Sequence, residues 1–469
     1  MRVGVHAYQT DPLLPQRDGV NFAHENFTFL LQNVVDPELE VEFHSFNGLI
    51  ADAKLAVKTL RGLDCVFSNV GPHAHYYFWL REELGLNFRI VRDVRTAIWS
   101  SYLLQEYLIA PLLRPGDTLQ VASHYVLGVY EHVFPHLAGY PSALCYPLSV
   151  AFPRPRPAIR ERWPMAEEEV VIGYLGRLSD DKNFPDVVDL VVRLNRENAS
   201  GLRYRLVACG DIHSPSCSPS QVAGKFAMAL GDGDWYQYVP ARPYEHIWDL
   251  LAGFDVLVFP STSNLETFGR VLIEASYARV PVVAGRHAAS PELVDPGNLC
   301  DVTYKVGKSF DSHFDHQLGR VDIAQMASLI RSGLVKPSDG YERYSDHDQK
   351  FLSVLRSPDC AADRPRLTRS QELFIASLDV VLPSLPMPRE ACALLSQMAE
   401  WFQGLQRRGS FDYAGKIERL LEISKYKERT RCFAGKSRQT LGDFTNVGGI
   451  DIELCHLLNF YPRFSMRES

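Results

Sequence analysis

Two glutamates stand out in a segment that is otherwise small and apolar. Glu274 interrupts the apolar run 271–275 of a helix that should lie against a core, and Glu266 stands in the polar loop before that helix. A buried carboxylate without a partner is costly, so Glu274 needs a hydrogen-bond donor. The two hydroxyls of a ribose would satisfy it, and Glu266 would then be placed to meet a second sugar.

A plainer interpretation of the same spacing is also open. Arg270 stands one helical turn before Glu274 and could neutralise it, while Glu266 could be a solvated loop residue. The loop 261–269 is small and polar up to Gly269, which would let backbone N–H groups at the helix N-terminus face an anion. The segment therefore predicts either a site that holds a sugar beside a phosphate or a structural ion pair.

Two cations follow an apolar run that reads as a buried strand. The run 171–175 ends at Gly176-Arg177, Lys182 comes shortly afterwards, and a helix is expected to begin at Pro185. An arginine fork together with a lysine point charge is suited to neutralising a diphosphate. The alternative is that both are ordinary solvated cations of a surface loop.

Short apolar strands alternate with longer helical patterns along most of the chain. The strand candidates are 3–7, 41–46, 65–68, 88–91, 119–122, 170–175, 205–209, 255–259 and 280–284. This alternation predicts parallel sheets covered by helices, in two doubly wound, Rossmann-like α/β domains. Closely spaced prolines between 153 and 164 interrupt the pattern.

The predicted organisation therefore has four parts. They are a first domain at 1–152, a second domain at 165–336, a closing helix at 337–357 and a helical C-terminal extension at 358–469. In the second domain each strand candidate ends at a glycine or proline: Gly176, Gly210, Pro260 and Gly285. Ligands of open α/β sheets bind at the carboxyl ends of the strands, so these turns predict where a ligand of this domain sits.

Composition excludes several classes of protein. With 469 residues, 46% of them apolar, the chain can form large cores in more than one domain. A formal net charge of -7 argues against general nucleic-acid binding. The 9 cysteines are scattered without a CxxC pair, and neither a signal peptide nor an apolar run of membrane-spanning length is seen, so we expect a cytoplasmic protein with peripheral membrane contact left open.

Taken in order along the chain, these residues resemble the family 4 retaining glycosyltransferases. The resemblance is carried by the strand end Gly176-Arg177, by Lys182, and by Glu266 and Glu274 with seven residues between them. It covers roughly 1–357 and is strongest over 170–297. It implies the GT-B fold, in which two Rossmann-like domains face each other across a cleft. A nicotinamide oxidoreductase is disfavoured, because no GxGxxG follows the first strand.

The resemblance also implies roles for individual residues. The catalytic set would be Glu266, Arg177 and Lys182, with the two cations on the donor diphosphate. The implied donor-binding residues are Gly19, Arg177, Lys182, Glu266, Thr267, Phe268, Gly269 and Glu274. Within that set Glu274 would hold the ribose, and the stretch 241–246 would lie near the base. The donor would be a UDP- or GDP-linked sugar used as co-substrate, with no cofactor.

The first domain departs from the family pattern. Relatives often carry a histidine where this chain reads 90–96, and none stands there. Arg92 and Arg95 from this stretch, or His73 and His75, are the alternative candidates for contacting the donor sugar or an acidic acceptor. Structural roles for this aromatic-rich region are the competing interpretation.

No metal requirement is predicted. Asp232 and Asp234 resemble a metal-binding DxD but precede a strand and lack nearby ligands, so a turn is expected. His313 and His316 have a metal-like spacing without an evident third ligand, and a solvated pair is expected.

The implied activity is that of a hexosyltransferase that retains anomeric configuration. The acceptor is open between saccharide, lipid, natural product and protein. Two alternatives remain: a GT-B sugar nucleotide epimerase, and a non-catalytic glycosyltransferase-like subunit. The extension 358–469 would provide a homodimer or partner contact.

Overall fold

The computed structural model describes two α/β domains and the helices that join them. The described residues are 1–7, 19–70, 74–95, 106, 109, 112–133, 137, 140–148, 168–198, 201–242, 244–263, 266–304, 317 and 319–356. The extension 358–469, the proline-rich boundary, His73 and the pair His313 and His316 lie outside the described residues.

The first domain is built on a parallel sheet of six strands in the order β2-β1-β3-β4-β5-β6. The strands are β1 Arg2–His6, β2 Glu40–His44, β3 Cys65–Ser68, β4 Arg89–Val94, β5 Thr118–Val121 and β6 Ser142–Leu144. The helices are α1 Gly19–Gln32, α2 Phe46–Ala51, α3 Ala53–Leu60, α4 His75–Glu83 and α5 His124–Val133. β3 and β4 lie at the centre and are almost completely buried, as strands covered on both faces must be.

The second domain is built on another parallel sheet of six strands, in the order β12-β11-β10-β7-β8-β9. The strands are β7 Glu169–Leu175, β8 Arg203–Cys209, β9 Tyr236–Val239, β10 Val256–Phe259, β11 Val282–Gly285 and β12 Leu299–Cys300. The helices are α6 Phe184–Arg196, α7 Pro219–Leu230, α8 Ile247–Ala252, α9 Arg270–Tyr277, α10 Ser290–Leu293 and α11 Ile323–Ser332. An antiparallel pair, β13 Val302–Tyr304 and β14 Gly319–Val321, follows β12.

The sequence of α6 shows why these helices cover the sheet. Its buried residues recur at helical spacing: Phe184, Val187, Val188, Leu190, Val191 and Leu194. This face packs against residues of β7 and β8 in one core, while α8 and α9 contribute to a second core. Helices on both faces bury the sheet, which is the doubly wound arrangement.

The chain returns to the first domain at its last described helices, α12 Gly340–Tyr344 and α13 His347–Arg356. Phe351 of α13 makes edge contacts with Phe27, at 4.7 Å between ring centroids, and with Phe67, at 4.9 Å. Leu352 and Leu355 join the same core. The two sheets also meet at their carboxyl edges, where the Thr267 hydroxyl donates to the carbonyl of Arg95 at 3.3 Å.

The structure therefore has the GT-B architecture. Two Rossmann-like parallel sheets face each other with their carboxyl edges, and a C-terminal helix returns from the second domain to pack on the first. The predicted pair of doubly wound domains is confirmed, while the predicted helical C-terminal region lies outside the described residues. Across the part of the chain that the structure describes, no helix is both long enough and apolar enough to span a membrane.

Candidate functional site

A buried ion pair joins two loops at the carboxyl edge of the second sheet. Lys182, in the loop after β7, places its Nζ 2.5 Å from Oε2 of Glu266, in the loop after β10. The hydroxyl of Ser261 donates to the same oxygen at 3.0 Å. Burial alone would raise the pKa of the Glu266 carboxyl, but the Lys182 charge and the two hydrogen bonds outweigh it and hold the pKa below its usual value. Glu266 is therefore a fixed anion beside a fixed cation.

Asn183 holds these two loops in register. It adopts the left-handed conformation with φ 56, one residue before α6 begins. Its Nδ2 donates to the carbonyl of Pro260 at 2.8 Å and to Oγ1 of Thr262 at 2.9 Å. Sequence reasoning missed this residue. The signal was an asparagine, which tolerates left-handed geometry, placed directly before a helix start.

The strand ends of β7 and β8 come unusually close at Gly176 and Gly210. A Cβ on Gly210 would lie 1.8 Å from the carbonyl oxygen of Gly176, and both residues have positive φ. Only glycine fits at Gly210, because a Cβ there would overlap with the Gly176 carbonyl. Arg177 follows directly, 3.2 Å from the Asp181 carboxylate, with 33% of its side chain exposed.

Glu274 forms the ion pair that the plainer interpretation predicts. Nε of Arg270 lies 2.5 Å from Oε1 of Glu274, and the carboxylate is buried. The Arg270 guanidinium also lies 4.5 Å from the ring centroid of Tyr244, within the stretch 241–246. Glu274, predicted to hold the donor ribose, and the stretch 241–246, predicted to lie near the nucleotide base, are therefore neighbours in space that both contact Arg270.

The loop between the two glutamates contacts the first domain. Phe268 stacks on Tyr146 at 4.1 Å between ring centroids, and the carbonyl of Thr267 accepts from the Ser123 hydroxyl at 3.0 Å. Gly269 ends the loop with φ 74 and precedes α9. The predicted sugar-binding loop therefore lies at the junction of the domains, and the Phe268 ring is engaged in packing there.

His287, which sequence reasoning did not single out, belongs to the same network. Its Nε2 lies 3.1 Å from the carbonyl oxygen of Ser263, and the ring is buried. Burial lowers its pKa to about 4, and the nearby Lys182 charge acts in the same direction. The imidazole is neutral at physiological pH and supports the Glu266 loop through the Ser263 carbonyl.

The arginines proposed for the first domain are already neutralised. Arg92 pairs with Glu106, and both side chains are buried. Arg95 lies 2.6 Å from the Asp93 carboxylate and donates to the carbonyl of Cys145 at 2.9 Å. Both guanidinium groups therefore bind partners inside the first domain.

The remaining predicted residues are placed as follows. His75 is buried as the first residue of α4 and stacks on Tyr76 at 4.5 Å. Gly19 is the first residue of α1. Asp234, two residues before β9, forms an ion pair with Arg205 at 2.8 Å. Across the described residues, no three His, Cys, Asp or Glu side chains gather as a metal site would require.

Sequence comparison finds a family model that matches the segment carrying this site. Residues 155–309, which include every second-domain residue of the site, match the model of the family described as Glycosyl transferases group 1. The segment thus falls in the half of the molecule where the ion-paired loops lie.

Particular relatives are similar over shorter stretches. The D-inositol 3-phosphate glycosyltransferase of Corynebacterium efficiens is 30% identical over 127 residues, 27% of this chain and 29% of that protein. The enzyme of the same name from Actinosynnema mirum is 29% identical over 215 residues, 45% of this chain and 49% of that protein. The chain therefore spans less than half the length of these two relatives.

Comparison of structures finds solved proteins that align with about three quarters of this chain. HepE of Anabaena in complex with UDP is 14% identical, with a TM-score of 0.48, over 75% of this chain and 96% of that one. Sucrose-phosphate synthase of Thermosynechococcus elongatus is 15% identical, with a TM-score of 0.43, over 75% of this chain and 94% of that one.

Proposed function

We propose that this protein is a retaining glycosyltransferase that moves a sugar from a nucleotide diphosphate to an acceptor hydroxyl without a metal ion. The observation that carries the proposal is the Lys182–Glu266 pair at the carboxyl edge of the second sheet, 2.5 Å apart. The match of residues 155–309 to a glycosyltransferase family supports it, as do the names of the relatives.

The donor would bind across the loops that follow β7 and β10. Lys182 and Arg177 would neutralise the diphosphate, the first as a point charge and the second as a planar fork. Oε1 of Glu274 accepts a hydrogen bond from Arg270. The other carboxylate oxygen would accept hydrogen bonds from the ribose hydroxyls. Tyr244, next to Arg270, would lie beside the base, which we propose is uracil or guanine.

The reaction would depend on charge placed before the substrate arrives. As the bond from the anomeric carbon to the donor phosphate breaks, Lys182 and Arg177 would stabilise the growing negative charge on the leaving group. The acceptor oxygen would form its bond on the face that the leaving group departs from, which retains configuration. The acceptor proton would pass to a phosphate oxygen of the leaving diphosphate, and Glu266 would orient the sugar.

Donor binding is the first measurement. Calorimetry with UDP, GDP and their sugars would identify the nucleotide. Lys182→Ala is expected to weaken binding of that nucleotide about tenfold or more, because a desolvated charge contact of this kind contributes about 1.5–3 kcal/mol. Lys225→Ala, which removes an exposed lysine on α7, is the matched control and should bind as the wild type does.

Turnover separates the proposed enzyme from its alternatives. Glu266→Gln should slow sugar transfer strongly while leaving nucleotide affinity nearly unchanged, and undiminished transfer in both Glu266→Gln and Lys182→Ala would contradict the assignment. Isomerisation of the donor without an acceptor would indicate an epimerase. Nucleotide binding without turnover, together with a co-purifying protein, would indicate a non-catalytic subunit.

Two further features of the proposal have direct tests. The anomeric configuration of the product, measured by proton NMR, should match that of the donor. Transfer should persist in EDTA, because fixed cations replace a divalent ion.

The extension 358–469 is tested by deletion. Separate assays of donor hydrolysis, sugar transfer and oligomeric state would show whether the extension serves acceptor binding or a protein contact.

A further inference from the structure

Two polar side chains are buried without partners at the carboxyl end of β3. Asn69, directly after the strand, has 0% of its surface exposed, and Ser68 has 1%. Neither the Nδ2 and Oδ1 atoms of Asn69 nor the Oγ of Ser68 has a hydrogen-bond partner among the described residues. Burying such groups unsatisfied is costly, so a protein that keeps them there has a use for them.

They lie close to the proposed donor site in the fold. β3 is a central strand of the first sheet, between β1 and β4. Ser68 is in register with Arg92 on β4, and Arg95 beyond the end of β4 accepts through its carbonyl from Thr267 of the second domain. The carboxyl end of β3 is therefore one strand away from the loop that carries Glu266.

The two arginines described at this edge are both neutralised. Among the described residues at the carboxyl ends of the first-domain strands, the Lys and Arg side chains are those of Arg92 and Arg95. Both are paired to carboxylates, Arg92 to Glu106 and Arg95 to Asp93. An anionic substrate group would have to compete with a buried carboxylate for either guanidinium, which is a strongly unfavourable exchange.

We propose that Asn69 and Ser68 bind hydroxyl groups of a neutral, polyhydroxylated acceptor, such as a sugar or a cyclic polyol, and select against its phosphorylated form. A carboxamide donates and accepts at once, as does a hydroxyl, so the two side chains match the two-way hydrogen bonding of sugar hydroxyls. The inference rests on the proposed glycosyl transfer, and it names the substrate class of the first domain.

The test uses the full chain loaded with whichever nucleotide it binds. The probes are glucose, glycerol and myo-inositol, each beside its monophosphate, with binding followed by saturation-transfer NMR and transfer followed by nucleotide release. We expect the neutral compounds to bind and the monophosphates to bind at least about tenfold more weakly. Preference for the monophosphates, or no binding of any neutral compound, overturns the inference.

The variant Asn69→Leu keeps the side-chain shape and removes its hydrogen-bonding groups. We expect the acceptor KM to rise about tenfold or more and the nucleotide Kd to stay unchanged, while the melting temperature stays equal or rises, because an unsatisfied buried group is removed. A fall in melting temperature with an unchanged acceptor KM indicates a purely structural role and overturns the inference. Ser68→Ala provides the same test with a smaller change.

Thr118→Val is the matched control, because the hydroxyl of Thr118 is also buried without a partner among the described residues but stands at the amino end of β5. It should leave the acceptor KM unchanged. A wild-type protein that binds no nucleotide sugar would instead refute the proposed glycosyl transfer, an outcome distinct from failure of the acceptor inference.

Discussion

Glu292 of the second domain accepts a hydrogen bond from the backbone amide of Tyr125 in the first domain, with 2.8 Å between Oε1 and the nitrogen. Its other oxygen accepts from the amide of His124, also at 2.8 Å. These amides open helix α5, so one carboxylate caps a helix of the facing domain and meets the positive end of its dipole. The cap links the domains beside the contact between Ser123 and Thr267.

Removing this cap should loosen the junction between the domains. Glu292→Ala is expected to lower the free energy of unfolding by about 1–2 kcal/mol, because two amides of α5 lose their acceptor and the helix dipole loses its counter-charge. Urea unfolding measures the change. Glu342→Ala, which breaks an exposed ion pair with Arg279 at 3.0 Å, is the control and should cost less than about 1 kcal/mol. Equal losses would contradict a cap that joins the domains.

The Lys182–Glu266 pair predicts a non-additive pair of substitutions. Lys182→Met leaves the Glu266 carboxylate without its cation, and since the two side chains are only 18% and 11% exposed, a loss of about 2–4 kcal/mol is expected. Adding Glu266→Gln should recover most of that stability, because the orphaned charge is gone. Thermal unfolding of the three variants measures the coupling, and simple additivity would show that the pair is not energetically coupled.

Replacing a glycine by alanine is expected to have opposite effects on stability at two positions, Gly210 and Gly224. Gly210→Ala would place a Cβ 1.8 Å from the Gly176 carbonyl oxygen at a φ of +150, so a loss of about 3 kcal/mol or more is expected. Gly224→Ala, in α7 with nothing within 4 Å of the new Cβ, should stabilise by about 0.5–1 kcal/mol. Melting temperatures of the two proteins test the contrast, and a stable Gly210→Ala variant would mean that the strand ends can separate freely.

His287 predicts part of the acid sensitivity of the fold. Burial lowers its pKa in the folded protein to about 4, below the value of about 6.5 in an unfolded chain. The unfolded state therefore binds more protons between these values, so the stabilising contribution is complete above about pH 6.5 and is lost as the pH falls towards 4, on the order of 3 kcal/mol in total.

His287→Gln keeps a donor for the Ser263 carbonyl and cannot take up the proton. Its melting temperature should fall less steeply than that of the wild type between pH 7 and 4.5. His124→Gln, at an exposed histidine, should follow the wild-type curve. An unchanged slope in His287→Gln would place the acid sensitivity elsewhere, for example at buried histidines such as His24 and His44, whose pKa values burial also lowers.

Much of the fold could be predicted because the buried strands are continuous apolar runs between turn residues. The predicted run 65–68 is β3 itself, and 170–175 differs from β7 by one residue. The edge strands β6 and β12 were missed because they have only three and two residues. Their pairing energy comes from the neighbouring strand, which local sequence does not show. The edge strand β2 was predicted, and a strand was expected after Asp234, where β9 lies.

The site was predicted unevenly for a related physical reason. The helical spacing of Arg270 and Glu274 allowed an ion pair, and the structure forms it. The partners of Glu266 and Asn183 stand far along the chain, at Lys182 and Pro260, so no local pattern could reveal them. Arg92 was a candidate contact for the donor sugar or an acidic acceptor, and the fold pairs it with Glu106 inside the domain.

The sequence by itself determined most of the buried strands, roughly where they end and which charged groups stand at those ends, because strand pattern and turn chemistry are local properties of the chain. Only the tertiary structure decided how those charges are paired. Folding joined Lys182 to Glu266 across two loops that are far apart in sequence, whereas Arg177 pairs with Asp181 and Arg95 with Asp93 within their own segments.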